Sequence, residues 1–419
     1  MFALYSRKWD ARRVYLLISG ATAFFFNLVF TVNMVYQVQT VGLSPLQLVL
    51  VGTTLELAIF FFEVPTGVVA DVYSRRLSII IGFALIGLGF CVEGLFPSFI
   101  AILAAQVLWG IGYTFTSGAQ QAWITDEVGE GQIGPIFIRA SQIGNLIGIP
   151  STLFALLLGS LLLNLPIVLG GLLFIALAAF LVLVMPEHGF KAKPAAERES
   201  TWREMSTTLR AGLREVRGQP VLLALLGIGL FVGLYSEGFD RLNTAHLLES
   251  FTLPQIAGVQ PVALIGIIGM VGGLIAIVVM RVVEKRLNMR DGRALARVVY
   301  LCNALLVGAI IGFALAGSFV VAVLLRWLVT ILRTVIDPLQ STWMNQHIDS
   351  SVRATVISMT GQVDAFGQIA GGPPVGLLGD RFGIRAALVA SGLILSPVLL
   401  LYARVLRSEH LIVSEPAPE

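Results

Sequence analysis

The chain has 419 residues, 56% of them hydrophobic and only 13% charged, with a formal net charge of +3. A water-soluble domain carries roughly 25% charged residues, so this composition excludes a soluble globular protein and leaves a chain that faces lipid or other apolar segments. So small a positive balance in so apolar a chain is not a nucleic-acid signature.

A membrane-crossing helix needs about 20 apolar residues. Its backbone, with no water to bond, closes its hydrogen bonds within the helix. Twelve such runs are predicted, at 14–39, 45–70, 77–96, 98–122, 136–162, 165–185, 221–247, 258–283, 294–316, 319–345, 354–377 and 384–404. The first is too long for a signal-peptide core and is expected to be retained. The longest polar stretch, 186–220, separates an N-terminal half (1–185) from a C-terminal half (221–419). Within it, Trp202 to Val216 has amphipathic spacing, compatible with a helix on the inner membrane surface or with a solvated linker. Cys91 and Cys302 lie in apolar runs, where they read as small packing residues that do not report the redox compartment.

The basic residues orient the spans. One set of connections holds Arg7, Lys8, Arg12, Arg13, Arg75, Arg76, seven Lys or Arg from Lys191 to Arg217, six from Arg281 to Arg297, then Arg353, Arg404 and Arg407. The opposite set holds Arg381 and Arg385. This asymmetry of 22 to two predicts that both termini and the 186–220 segment are cytoplasmic, and the expected location is a plasma membrane of the bacterial inner-membrane type. A cysteine at Ala195 should therefore resist an impermeant thiol reagent in intact cells; labelling there would overturn the topology.

The two halves also repeat. At an offset of 220, Gln106 falls on Arg326, Gln120 on Gln340, Trp123 on Trp343, and Ser141-Gln142 on Gly361-Gln362. Gly144-x-x-x-Gly148-Ile-Pro150 then matches Gly367-x-x-x-Gly371-Gly372-Pro373, with the offset grown to 223. The pattern implies parallel six-helix copies related by an axis along the membrane normal.

Between spans two and three the sequence reads Gly67-Val-Val-Ala-Asp71-Val-Tyr-Ser-Arg75-Arg76, preceded by Glu63-Val64-Pro65-Thr66. Together with the six-plus-six layout and the central loop, this stretch resembles the signature of the major facilitator superfamily, with Ser74 in place of that pattern's second Gly. The lead-in and the Gly- and Pro-rich span five are similar to the drug–proton antiporter branch that includes tetracycline and macrolide exporters. The resemblance implies an all-α fold of twelve transmembrane helices in two pseudo-symmetric halves. It implies that Asp71 pairs toward the neighbouring half in one conformational state, that Arg75 and Arg76 hold the cytoplasmic end, and that Gly67 permits close helix approach. In span four, Gln106, Trp109 and Gly110 occupy the register where many relatives have an Arg tied to proton coupling; the Arg here is at the repeat position, Arg326.

Ionisable residues inside a membrane are costly and mark function. In span one, Asn27, Asn33, Tyr36 and Gln37 are neutral cavity candidates. Span two carries Glu56 and Glu63 on one face; a carboxyl desolvated among apolar helices favours the neutral form, as a proton carrier requires. Glu63 is alternatively a bond to backbone freed by Pro65. Span four presents Gln106, Trp109, Tyr113, Ser117 and Gln120 as one polar-aromatic face, read as cavity lining or as helix–helix glue; Gln142 in span five joins the cavity candidates. In span seven, Glu237 and Arg241 are one turn apart and pair, leaving Asp240 the less compensated acid. Span ten aligns Arg326, Arg333 and Asp337, with Arg333 and Asp337 paired at i, i+4. Asp364 and Gln368 follow in span eleven, with Asp364 neutralising Arg326 or Arg333 through a bridge that is either static or opened by protonation. Glu56 and Asp364 lead as proton-coupling residues, ahead of Glu63, Asp240 and Asp337.

There is no phosphate-binding loop or nucleophile elbow, and His188, His246, His347 and His410 are scattered, so neither an enzyme nor a metal site is expected. No cofactor is called for. The reading is a monomeric secondary transporter, coupling protons to efflux of amphipathic small molecules, with membrane lipid as its surroundings. The alternatives are an exporter or uniporter of a specific metabolite, siderophore or lipid, and, in another class, a receptor or scaffold that transports nothing.

Overall fold

A computed structural model describes residues 9–191, 220–255, 260–348 and 353–413. The amphipathic stretch expected from Trp202 to Val216 lies outside these residues, as does most of the central loop. The described chain is helical throughout, as a backbone surrounded by apolar side chains must be. The helices are α1 (Ala11–Phe30), α2 (Asn33–Gln39), α3 (Pro45–Val72), α4 (Arg75–Leu95), α5 (Phe99–Thr116), α6 (Ala119–Val128), α7 (Ile133–Leu161) and α8 (Leu165–Val184). They continue as α9 (Pro220–Glu249), α10 (Pro261–Arg286), α11 (Gly292–Leu315), α12 (Phe319–His347), α13 (Arg353–Phe382), α14 (Ile384–Leu395) and α15 (Pro397–Val413).

Eleven spans among the described residues are long and apolar enough to cross a membrane. The remaining expected span, the eleventh (354–377), is present as the 30-residue α13, which has the length but is too polar over its run from Gln362 to Gln368. Three predicted spans are broken. The first bends at Thr31–Val32. The fourth breaks at Gly118, whose φ of +69° suits a residue without a side chain. The twelfth breaks at Ser396, before Pro397. Pro65, Pro150, Pro338, Pro373 and Pro374 lie inside continuous helices, and nearby hydroxyls bond carbonyls around them, as Thr66 does to Phe62 at 2.8 Å and Thr342 to Pro338 at 2.8 Å.

The caps repeat as the sequence does. Ser98 accepts from the Ala101 amide at the start of α5 and Ser318 from the Val321 amide at the start of α12, again 220 positions apart. Helices α7 and α13 start at Ile133 and Arg353, the same offset. Trp123 and Trp343 are both fully buried.

The described residues form two compact units. The first takes Met1–Leu43, Thr54–Thr201 and Ala257–Gly266, and the second takes Ser44–Thr53, Trp202–Ile256 and Ile267–Glu419, over the described parts of those ranges. The first turns of α3 thus belong to the second unit and the first turns of α10 to the first. In the first unit, Phe26, Phe90 and Phe174 form an aromatic centre with ring centroids 4.8–6.1 Å apart. In the second, α9 packs on α13 and α11 on α12 around Phe239 and Phe313.

Candidate functional site

The signature stretch is a polar clamp within the first unit. Asp71 and Arg75 approach to 3.8 Å at i, i+4. Arg75 also pairs with Asp126 and lies over the Phe190 ring at 6.0 Å. The Glu187 carboxylate accepts from the Arg76 amide at 2.9 Å and from the Ser74 hydroxyl at 2.7 Å, tying the start of α4 to the chain just beyond α8. Arg76 donates to the Val182 carbonyl at 2.5 Å. Gly67 differs from expectation: it is exposed, and a Cβ there would meet nothing within 4 Å, so no close helix approach depends on it here.

Three residues expected on an open cavity wall are instead buried around an acid. Glu93, in α4, accepts from Gln37 at 2.7 Å and from Gln106 at 3.4 Å, and the Tyr36 hydroxyl donates to the Glu93 carbonyl at 3.0 Å. All four are at most 2% exposed. Buried polar groups seek one another when no water is available, and that draws the polar face of α5 inward at Gln106. The face then divides: Trp109 packs on Phe30 and Phe90, while Tyr113 is 43% exposed. Gln120 follows the Gly118 break in α6. Asn33 is buried, Asn27 bonds back to Ala23 of its own helix, and Gln142 is exposed. Glu93 was legible as a lone acid in an apolar span; what hid its importance was that its two amide partners come from other helices.

On α3, Glu56 is half-buried and Glu63 exposed. The expected bond from Glu63 to freed backbone is not made among the described residues; the Thr66 hydroxyl donates to the neighbouring Phe62 and Glu63 carbonyls.

The second unit holds the densest charge. Glu237 and Arg241 pair at 2.9 Å. Asp240 is not the less compensated acid. It receives two hydrogen bonds from Arg333, at 2.5 and 3.0 Å, and Arg333 lies over the Tyr235 ring at 5.9 Å. The expected Arg333–Asp337 pair is therefore absent: the guanidinium reaches across to α9, whose acid accepts on both oxygens, rather than one turn along α12. Asp337 has no hydrogen bond or ion pair among the described residues. Asp364 accepts from Gln368 at 2.9 Å and pairs with neither arginine. Arg326 has a buried Nη1 with no hydrogen-bond partner.

These groups border two cavities in this unit. The larger, about 380 Å³, is lined by Tyr235, Asn303, Arg333, Asp337, Gln340 and Asp364 among others. The smaller, about 320 Å³, is lined by Asp240, Asn243, Arg326, Arg333 and Asp337 among others. Arg333 and Asp337 belong to both walls. Close backbone packing sets the geometry, since a Cβ at Gly233 of α9 would strike the Asp364 backbone in α13. Gly233→Val is thus expected to lower stability by roughly 1–3 kcal/mol, read as a fall in melting temperature of the detergent-purified protein.

The profile of the Major Facilitator Superfamily matches residues 15–371. An uncharacterised MFS-type transporter, YxaM of Bacillus subtilis (strain 168), is 22% identical over 363 residues, covering 86% of this chain and 87% of that protein. Among solved structures, the nucleoside transporter NupG superposes with a TM-score of 0.69 at 15% identity, covering 96% of this chain and 99% of that one. A POT family transporter in complex with 5-aminolevulinic acid gives 0.69 at 13%, covering 96% and 98%. A bacterial homologue of the human lysosomal transporter Spinster gives 0.68 at 16%, covering 95% and 96%. At such identities the structural likeness establishes the fold.

Proposed function

The chain belongs to the major facilitator superfamily, an integral membrane transporter by family, and on that premise we propose that it is a proton-coupled exporter of small amphipathic molecules. It works by alternating access in the bacterial inner membrane, with both termini cytoplasmic. One observation carries this reading: Asp337 and Asp364 line an open cavity inside membrane-spanning helices, beside the Arg333–Asp240 pair. A carboxyl so placed can take up a proton and release it as its surroundings change. Amphipathic cargo fits a cavity walled by Val232, Leu306, Ile336 and Met344 as well as by these charges.

Proteoliposomes loaded with pH dye test it. Candidate substrates added to one side should move protons the opposite way, and an imposed pH gradient should drive their accumulation; a protein that moves neither is a receptor or scaffold. The signature clamp has a separate role in this scheme, governing conformation rather than contacting cargo. Asp71→Asn, which weakens the pull on Arg75, should slow transport while leaving substrate affinity within about threefold, a change of under 1 kcal/mol. Equilibrium binding and initial rates on the same preparation separate the two.

A further inference from the structure

We infer that Arg326 is the anion-binding end, and Asp337 with Asp364 the cation-binding end, of a site for zwitterionic amino-carboxylates whose two charges lie several bonds apart. The inference rests on the transport reading above and narrows its substrate class.

Nη1 of Arg326 is buried with no partner among the described residues. The repeat shows why this chain supplies none. The equivalent residue in the first unit, Gln106, bonds the Glu93 carboxylate. The position equivalent to Glu93, 220 residues on, is Phe313. Of the other side-chain oxygens around the smaller cavity, only those of Asp337 are unbonded among the described residues, and they lie about three helical turns from Arg326. Both Asp240 oxygens accept from Arg333, and the Thr330 and Thr334 hydroxyls donate to carbonyls of their own helix. A buried guanidinium with no carboxylate hydrogen-bonded to it is unfavourable, and its fork matches a carboxylate.

The opposite end has the opposite need. Asp337 has no hydrogen bond or ion pair among the described residues, and Asp364 has only the neutral amide of Gln368. Both line the larger cavity, and Asp337 with Arg333 lines the smaller one too, so one molecule can lie along both. A ligand carrying a cation alone leaves Arg326 uncompensated, and an anion alone leaves the two acids so. An amino-carboxylate satisfies both. Asp337 lies eleven residues along the helix from Arg326, about 16 Å of rise. That spacing suits ω-amino carboxylates and short peptides over α-amino acids.

The test uses the full-length purified protein and a graded series of ω-amino carboxylates and short peptides. Each is paired with its methyl ester, which removes the anion, and its N-acetyl form, which removes the cation. Thermal stabilisation and direct calorimetry read binding. The zwitterions should bind at least about tenfold more tightly than either blocked form, the scale of one charged hydrogen bond. Arg326→Gln should bind zwitterion and ester alike, while Arg326→Lys keeps a preference. Without ligand, Arg326→Gln should melt no lower than the parent. A lower melting point would show that Arg326 is a structural ion-pair partner, and overturn the inference. So would a series in which no zwitterion binds, or in which esters bind as well as their parents. If esters bind and are transported while zwitterions are not, the zwitterion site fails and the transport reading stands. If nothing of any charge class is moved in vesicles, that reading fails as well.

Discussion

Arg333→Ala is expected to abolish concentrative transport while leaving the protein folded. The guanidinium joins α12 to α9 through two hydrogen bonds to Asp240 and forms part of the wall of both cavities. Removing it frees the Asp240 carboxylate and changes the sign of charge at the shared wall. The structural loss is small, because the Arg333 and Asp240 side chains are 34% and 44% exposed. Solvent screens such a pair, leaving about 1 kcal/mol or less. The functional loss is larger, on the order of a hundredfold in rate, because a displaced charge at a binding site misorients whatever it holds. Lys at 333 should recover only part of the activity, since a point charge cannot make the two-pronged contact. Exchanging the pair, Asp240→Arg with Arg333→Asp, should recover more than either single change. Vesicle uptake and melting curves for these variants check the prediction, and a large drop in melting temperature for Arg333→Ala would mean that the pair is structural.

Asp364→Asn should eliminate accumulation driven by a proton gradient while exchange of substrate across the membrane persists at weaker affinity, with Asp337 left to hold the substrate's cation. The amide copies the neutral acid in shape and cannot ionise. From sequence, Asp364 was expected to neutralise an arginine, and its loss would then have stranded a buried cation at a cost of about 3–5 kcal/mol. The carboxylate instead accepts from Gln368 alone, so the variant should melt close to the parent. Glu56→Gln, at a half-buried position of α3, is the comparison. If only Glu56→Gln uncouples transport, the coupling acid lies in the first unit. If both variants still accumulate substrate, coupling passes through neither.

The fold was legible because its determinants are one-dimensional: apolar run length and a repeat that recurs in the Ser98 and Ser318 caps. Pairs within one helix were legible too, as with Glu237 and Arg241, because i, i+4 spacing brings them together. Pairs between helices were not. Arg333 had an in-register acid at Asp337 and chose Asp240 on another helix, a decision made by helix rotation and separation. The Glu93 cluster was missed for the same reason, and the breaks at Thr31 and Ser396 carry no glycine signal.

The slip in the repeat offset bears on how α13 came to hold an acid. Gln142 aligns with Gln362 and Gly144 with Gly367, so the first half has one residue where the second has four, Val363 to Phe366. Asp364 therefore lies where the first half has no matching acid. Three added helical residues advance the chain by about 300°, which turns the downstream glycines and prolines roughly 60° about the axis relative to their counterparts. The two halves therefore differ, over three residues, both in a titratable group and in the angular setting of Gly371 and Pro373. Deleting those three residues from α13 is the step that would return this helix to the symmetry of its sibling.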